Sequence, residues 1–163
     1  MPKWAVPYLI RALKDKDYTV RYSAARALGR MGPTAKGTVP ALIEALRDQV
    51  AIVREDAALA LRRMGPDAKV AVPALTEALR SPDTGPFGAR ARCAAAATLL
   101  ILDEKTEEVA LPVLRAGLRD RTMYVREAAA GALRDVGPTA NRACLAEVVS
   151  WVLGLSVPAP RCS

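Results

Sequence analysis

The sequence predicts an all-α fold, a right-handed α-solenoid of antiparallel helix pairs with about four and a half repeats and nine helices. Three observations predict it. The first is a period of 33 residues: Val6-Pro7-Tyr8-Leu9-Ile10-Arg11-Ala12-Leu13 returns as Val39-Pro40-Ala41-Leu42-Ile43-Glu44-Ala45-Leu46, and again as Val72-Pro73-Ala74-Leu75-Thr76-Glu77-Ala78-Leu79. A looser copy follows at Leu111-Pro112-Val113-Leu114-Arg115-Ala116-Gly117-Leu118. The second is the spacing inside each copy, where Val6, Leu9, Ile10 and Leu13 fall at i, i+3, i+4 and i+7 and so make one apolar stripe on a helix. The third is the punctuation by Gly32-Pro33, Gly65-Pro66 and Gly137-Pro138, in which Gly closes a helix and Pro forbids its continuation. A period of this size means units that bury their apolar faces only against their neighbours.

Each repeat therefore reads as helix A, a short turn, helix B and a connection. In the first, Lys14-Asp15-Lys16-Asp17 breaks the chain, and helix B then sets Val20, Ala24, Ala27, Leu28 and Met31 on one side. The second turns at Arg47-Asp48-Gln49. The third is irregular. Nineteen residues separate Pro73 from Arg92 where the other repeats use fourteen, and the surplus falls in a loop at Ser81–Gly88 that holds Phe87, the only phenylalanine. Its closing Gly-Pro is replaced by Leu102-Asp103-Glu104-Lys105, Val is missing before Arg92, and Ser81 stands where Asp15, Asp48 and Asp120 stand elsewhere. Weaker order is expected there. The predicted boundaries are a single domain over 1–155, with repeats at about 4–36, 37–69, 70–108 and 109–141, a half repeat at 142–154, and a disordered tail at 156–163.

Composition narrows the chemistry. Apolar residues make up 52% of the chain and aromatic ones only 4%, an Ala- and Leu-rich balance that suits closely packed helices. No run approaches the roughly 18 apolar residues of a membrane span. Met1-Pro2-Lys3-Trp4 leads directly into the first repeat, so no signal peptide is expected. Cys93, Cys144 and Cys162 are an odd number without a Cys-x-x-Cys pair, which reads as free thiols in a reducing cytoplasm. Histidine is absent, and with it the commonest general base and metal ligand; no cofactor or metal is expected. No paired carboxylates and no Gly-rich phosphate loop appear, so a non-enzymatic role is expected. The net charge of +7 favours nucleic acid, an acidic protein or an anionic surface as partner.

The second helix of each repeat carries a motif. It reads Asp17-Tyr18-Thr19-Val20-Arg21-Tyr22-Ser23-Ala24-Ala25-Arg26-Ala27-Leu28-Gly29-Arg30-Met31-Gly32 in the first repeat, with Val53-Arg54 and Val125-Arg126 at the same place in the second and fourth. With Pro in helix A and Ala-Ala-x-Ala-Leu-Gly-x-x-Gly closing helix B, it resembles the HEAT repeats of the phycobilisome-lyase class. The Thr-Pro-Leu-His turn of ankyrin repeats and the Trp-Gly-Tyr pattern of tetratricopeptide repeats are absent. The resemblance implies an armadillo-like solenoid with helix B lining a concave groove and leaves the function open, and a solenoid surface of this kind favours a protein-binding scaffold over a catalytic pocket.

In that groove the partner-binding candidates are Tyr22, Ser23, Arg26 and Arg30, then Glu55, Asp56, Leu59 and Arg63. The third repeat adds Cys93, Ala94, Ala97 and Ile101, and the fourth Glu127, Ala128, Gly131 and Asp135. This sequence runs from basic and aromatic, through apolar, to acidic. A duplex would want one sign throughout, so a protein or peptide is the better partner, bound through Leu59 and Ile101. The plainer alternative is a solvated helix face. Arg21, Arg54, Arg92 and Arg126 recur at one position; they make either a phosphate ladder or, as the resemblance implies, structural bridges to turn residues. Phe87 either anchors a partner or folds back over the gap left by the missing Val. Basic residues at the connections (Lys36, Arg62, Arg63, Lys69, Lys105, Arg142) make a rim on which nucleic acid could bind, although few aromatics accompany it. Trp4 at one end and Val148, Val149, Trp151, Val152 and Leu153 at the other leave open ends through which copies could associate. Of the enzymes on related folds, the HEAT-like DNA glycosylases need a uniformly basic groove, which Glu55, Asp56, Glu127 and Asp135 oppose. No bilin-lyase motif appears beyond the repeat itself.

Overall fold

The computed structural model describes residues 3–137. The expected half repeat at 142–154, the tail at 156–163, and with them Arg142, Cys144, Trp151 and Cys162 lie outside the described residues.

Helix A of the first repeat is α1 (Val6–Ala12), entered through a 3-10 turn at Lys3–Ala5, with Pro7 at the helix start where its missing N–H is not needed. Helix B is α2 (Tyr18–Met31). Asp17 caps it by accepting the Thr19 N–H at 2.8 Å. The same pattern gives α3 (Val39–Ala45) with α4 (Ala51–Met64) and α5 (Val72–Ala78) with α6 (Pro86–Leu102). The fourth repeat is α7 (Glu107–Leu118) with α8 (Met123–Val136). Helix B ends at Gly32, Gly65 and Gly137, each at positive φ (56°, 65° and 79°), a backbone state that side chains with a Cβ rarely adopt. After Gly32 and Gly65 the chain winds through 3-10 segments, Gly32–Thr38 and Gly65–Ala71, before the next helix A.

The third repeat departs from expectation in an instructive way. Its surplus residues do not all remain in a loop: α6 begins at Pro86, so Phe87 and Gly88 occupy its first turn and the helix is 17 residues long against 14 for α2 and α4. Gly88 matters because a Cβ there would sit 2.5 Å from the Asp83 carbonyl oxygen, too close for any other residue. The turn is thus folded against its own helix. Where no Gly-Pro closes that repeat, helix A of the next starts early, at Glu107. Glu107 and Glu108 lie in its first turn, where the helix dipole favours acids, and Pro112 is left inside the helix.

The B helices form one layer, with α4 between α2 and α6, and α6 between α4 and α8; each A helix packs on the B helix of its own repeat. One leucine per repeat (Leu28, Leu61, Leu99 and Leu133) is buried in that layer. A second leucine, from helix A, is buried in the inner repeats at Leu42, Leu75 and Leu114. Burying each contributes about 1.5–3 kcal/mol. Alanines fill the space where helices approach, notably Ala57, Ala58, Ala60 and Ala94–Ala97. Burial follows the stacking of repeats: Val20 of α2 is 37% exposed, whereas its counterpart Val53, on α4 between α2 and α6, is 0% exposed.

Candidate protein-interaction surface

The arginine that opens each helix B makes a repeated set of bonds. Arg21 Nη1 donates to the carbonyls of Asp15 and Lys16 in its own turn, at 2.9 and 3.0 Å. Its Nε and Nη2 reach across to both carboxylate oxygens of Asp48 in the next repeat, at 2.6 and 2.9 Å. Arg54 does the same, donating to the carbonyls of Asp48 and Gln49 and then to Asp83 at 2.9 Å. Asp83 therefore takes the place that Ser81 left vacant, because the surplus residues carry an Asp into the position. Burial pushes the Asp48 carboxyl up, but the hydrogen bonds from Arg21 and the Val50 N–H and the charges of Arg21 and Arg54 outweigh it, holding the net value below the usual carboxylate range. Arg92 repeats only the first half of the pattern, donating to the Ser81 and Asp83 carbonyls, and Arg126 likewise donates to the Asp120 and Arg121 carbonyls of its own turn. No bond joins Arg92 to Asp120.

The helix B face differs from the continuous groove that the sequence suggests. Glu55, Asp56 and Ala97 are 8%, 5% and 0% exposed, and Cys93 and Ala94 are also buried. Cys93, Ala94 and Ala97 face neighbouring helices because the B helices pack side by side through small residues, and Glu55 and Asp56 lie low on the face, at the floor of a cleft between helices. Asp56 accepts Arg26 Nε and Nη2 at 3.2 and 3.0 Å. Glu55 accepts Arg90 Nη2 at 2.7 Å. Desolvation raises the Glu55 carboxyl above its ordinary range, in spite of Arg90. Further along, Arg62 of α4 pairs with Asp135 of α8 at 3.0 Å, linking the helices on either side of α6. Burial pushes the Cys93 thiol up to about 11, so it is held as an unreactive thiol.

What stays open is concentrated between α2 and α4. Ser23, Arg26, Arg30 and Arg63 are exposed, and Tyr22 and Leu59 are half-buried. They surround a cleft of about 210 Å³ over Glu55 and Asp56. The Tyr22 ring holds the Arg26 guanidinium 5.3 Å from its centroid, a cation–π contact that keeps the side chain in place. Gly29 makes the cleft possible: a Cβ there would lie 2.9 Å from the Ala60 Cα, so only glycine allows α2 and α4 this close. Gly29 was visible in the motif, but nothing in one sequence says which neighbour it meets. Elsewhere on the face, Ile101 is 41% exposed and Glu127 is exposed; Ala128 and Gly131 are half-buried.

A second open feature lies at the helix B N-termini. Phe87 is 57% exposed and so does not fold back over the helix. With Tyr18, Val50 and Ile52 it lines a cleft of about 420 Å³ between the starts of α2, α4 and α6. Sequence reasoning missed Tyr18 and Ile52, because their contribution depends on Phe87 being lifted onto the helix. At the edges, Lys69 and Lys105 are exposed, and Trp4 meets Tyr8 edge to face at 6.3 Å with both rings in solvent. Among the described residues no cluster of His, Cys, Asp and Glu could hold a metal ion, and no helix is long and apolar enough to cross a membrane.

The geometry defines a helical repeat protein built of stacked helix pairs. Comparison with known families agrees: the HEAT repeat family matches residues 2–62, and the PBS lyase HEAT-like repeat matches residues 53–81. The chain is a HEAT repeat protein. Among solved structures, the crystal structure of an engineered protein is similar over 91% of this chain and 70% of its own, with a TM-score of 0.58 and 23% identity, a likeness of fold alone. No curated protein sequence matches the chain.

Proposed function

We propose that this chain is a non-catalytic, cytoplasmic scaffold, a right-handed solenoid that binds another protein or peptide through its helix B face, centred on the cleft between α2 and α4. HEAT repeats generally serve protein interaction, and the observation that carries the placement is the local one. Leu59 stands half-buried among exposed Arg26, Arg30 and Arg63, while Cys93, Ala94 and Ala97 further along the face are buried by packing. An apolar centre ringed by polar groups is the anatomy of an interface. The contact extends to Ile101, and the Phe87 cleft at the other end of the helices offers a second apolar foothold. The free, buried Cys93 suits a reducing compartment.

The test is capture of partners from source lysate at physiological salt, with and without nuclease, by the wild-type chain and by Leu59→Asp and Ile101→Asp. A protein partner that survives nuclease and is lost with Leu59→Asp, at unchanged circular dichroism, is the expected result. Capture unaffected by both substitutions sinks the placement on helix B. Material that disappears on nuclease treatment points instead to nucleic acid on the basic connections, where Lys69 and Lys105 are exposed.

A further inference from the structure

The α2–α4 cleft has an uneven charge balance. Four guanidiniums surround it, those of Arg26, Arg30, Arg63 and Arg90. Asp56 answers Arg26 in a two-point contact, and Glu55 answers Arg90. Among the described residues, Arg30 and Arg63 take no hydrogen-bond or ion-pair partner. They are the same position in successive repeats, 33 residues apart, in the last turns of α2 and α4. The helix dipole favours a cation there, which accounts for a basic residue on each helix but not for two converging on one cleft. Their convergence comes from Gly29, which lets α4 approach through Ala60.

We infer that this cleft is a docking site for an acidic segment of a partner protein, with Asp or Glu side chains held by Arg30 and Arg63 beside an aliphatic residue packed on Leu59. The inference rests on the scaffold reading and adds the chemistry of its partner. A planar guanidinium binds a carboxylate through two parallel N–H bonds, so two such forks fix a pair of acidic side chains in register. A second observation points the same way. Glu55 Oε2 is buried at the cleft without a hydrogen-bond partner, and it supplies an acceptor for a backbone N–H of the docked segment. Nucleic acid fits less well. Only two guanidiniums are unanswered, and a phosphate backbone continuing along the face would meet Glu127 and Asp135.

The experiment is fluorescence anisotropy with three labelled probes: a short peptide in which Glu and Asp flank Leu, its counterpart with Lys for each acid, and a single-stranded DNA of similar length. The expected result is that the acidic peptide binds, the lysine peptide does not, and Arg30→Glu with Arg63→Glu weakens the acidic peptide about tenfold or more while the circular dichroism of the folded state is retained. The same double variant is expected to gain affinity for the lysine peptide, which a merely unfolded protein cannot do. Absence of acidic-peptide binding, equal binding of the two peptides, or indifference to the charge reversal overturns the inference. Tighter binding of DNA carried by the same two arginines overturns it in favour of nucleic acid. If a captured partner is lost with Leu59→Asp but kept by the double variant, the scaffold reading stands and only the acidic segment fails.

Discussion

The junction between the first and second repeats and the one between the third and fourth use the same residues to different ends. At the first, Arg21 spans the gap and grips Asp48 with two nitrogens, and Lys14 meets Glu44 at 3.0 Å alongside. The second junction copies it with Arg54–Asp83 and Arg47–Glu77. At the third, Arg92 and Asp120 occupy the corresponding positions without bonding each other, and Ala116 stands where Glu44 and Glu77 stand earlier. A cleft of about 300 Å³ lies there, lined by both charged groups and by Cys93. The buried layer, by contrast, continues through all three junctions. A recurring residue thus secures a recurring position, while its partner depends on how the intervening turn is folded.

Substitutions at the two junctions should differ in their cost. The largest effect is expected from the layer that the junctions share. Leu61→Ala and Leu99→Ala each remove a fully buried side chain, and each is expected to cost about 2–5 kcal/mol in urea unfolding. A large loss at Leu61 with none at Leu99 would show that the third junction lacks a packed core as well as an ionic bridge.

The ionic difference comes next. Asp48→Ala strips a largely buried guanidinium of its carboxylate and is expected to cost about 1–3 kcal/mol. Asp120→Ala removes no cross-repeat bond and is expected to stay within about 1 kcal/mol, the loss of the Thr122 N–H contact. Equal losses would mean that the two junctions are held alike in solution.

Acid titration reads the carboxylates of the first two junctions directly. Because the carboxyls of Asp48 and Asp83 lie below their ordinary value in the folded state, the stability they contribute is present above the unfolded value of 3.8 and is lost as pH falls through the lowered folded value. Thermal melts across that acid range should therefore steepen for the wild type and flatten for Asp48→Asn. The smallest effect belongs to the solvent-facing pair Arg47–Glu77, where Arg47→Ala is expected to change stability by about 0.2–1 kcal/mol and less in high salt.

Much of this architecture was legible in the sequence because solenoid stacking is written as periodicity. Val-Pro at helix A, Val-Arg at helix B and Gly-Pro between them locate α1 to α5 nearly to the residue. The failures have a common cause. Glu55, Asp56 and Ala97 sit opposite the leucine stripe of their own helix, and one helix viewed alone makes that side look solvated. Two flanking B helices bury it, and helical periodicity records how a helix faces its own layer, not how closely the next repeat approaches. Gly29 and Gly88 are the residues that set those approaches, and each does so against a partner far along the chain or across a turn. The surplus residues of the third repeat were counted correctly, yet their division between turn and helix depended on the fit of Gly88 against Asp83.

The most direct measurement of the central claim is site-specific photo-crosslinking in source lysate, with the reactive side chain placed in turn at Leu59, at Phe87 and at Val70 on the exposed connection. The account predicts a discrete protein adduct from position 59, a weaker one from position 87 and none from position 70. Adducts that arise from position 70 and not from 59, or that consist of nucleic acid, would contradict it.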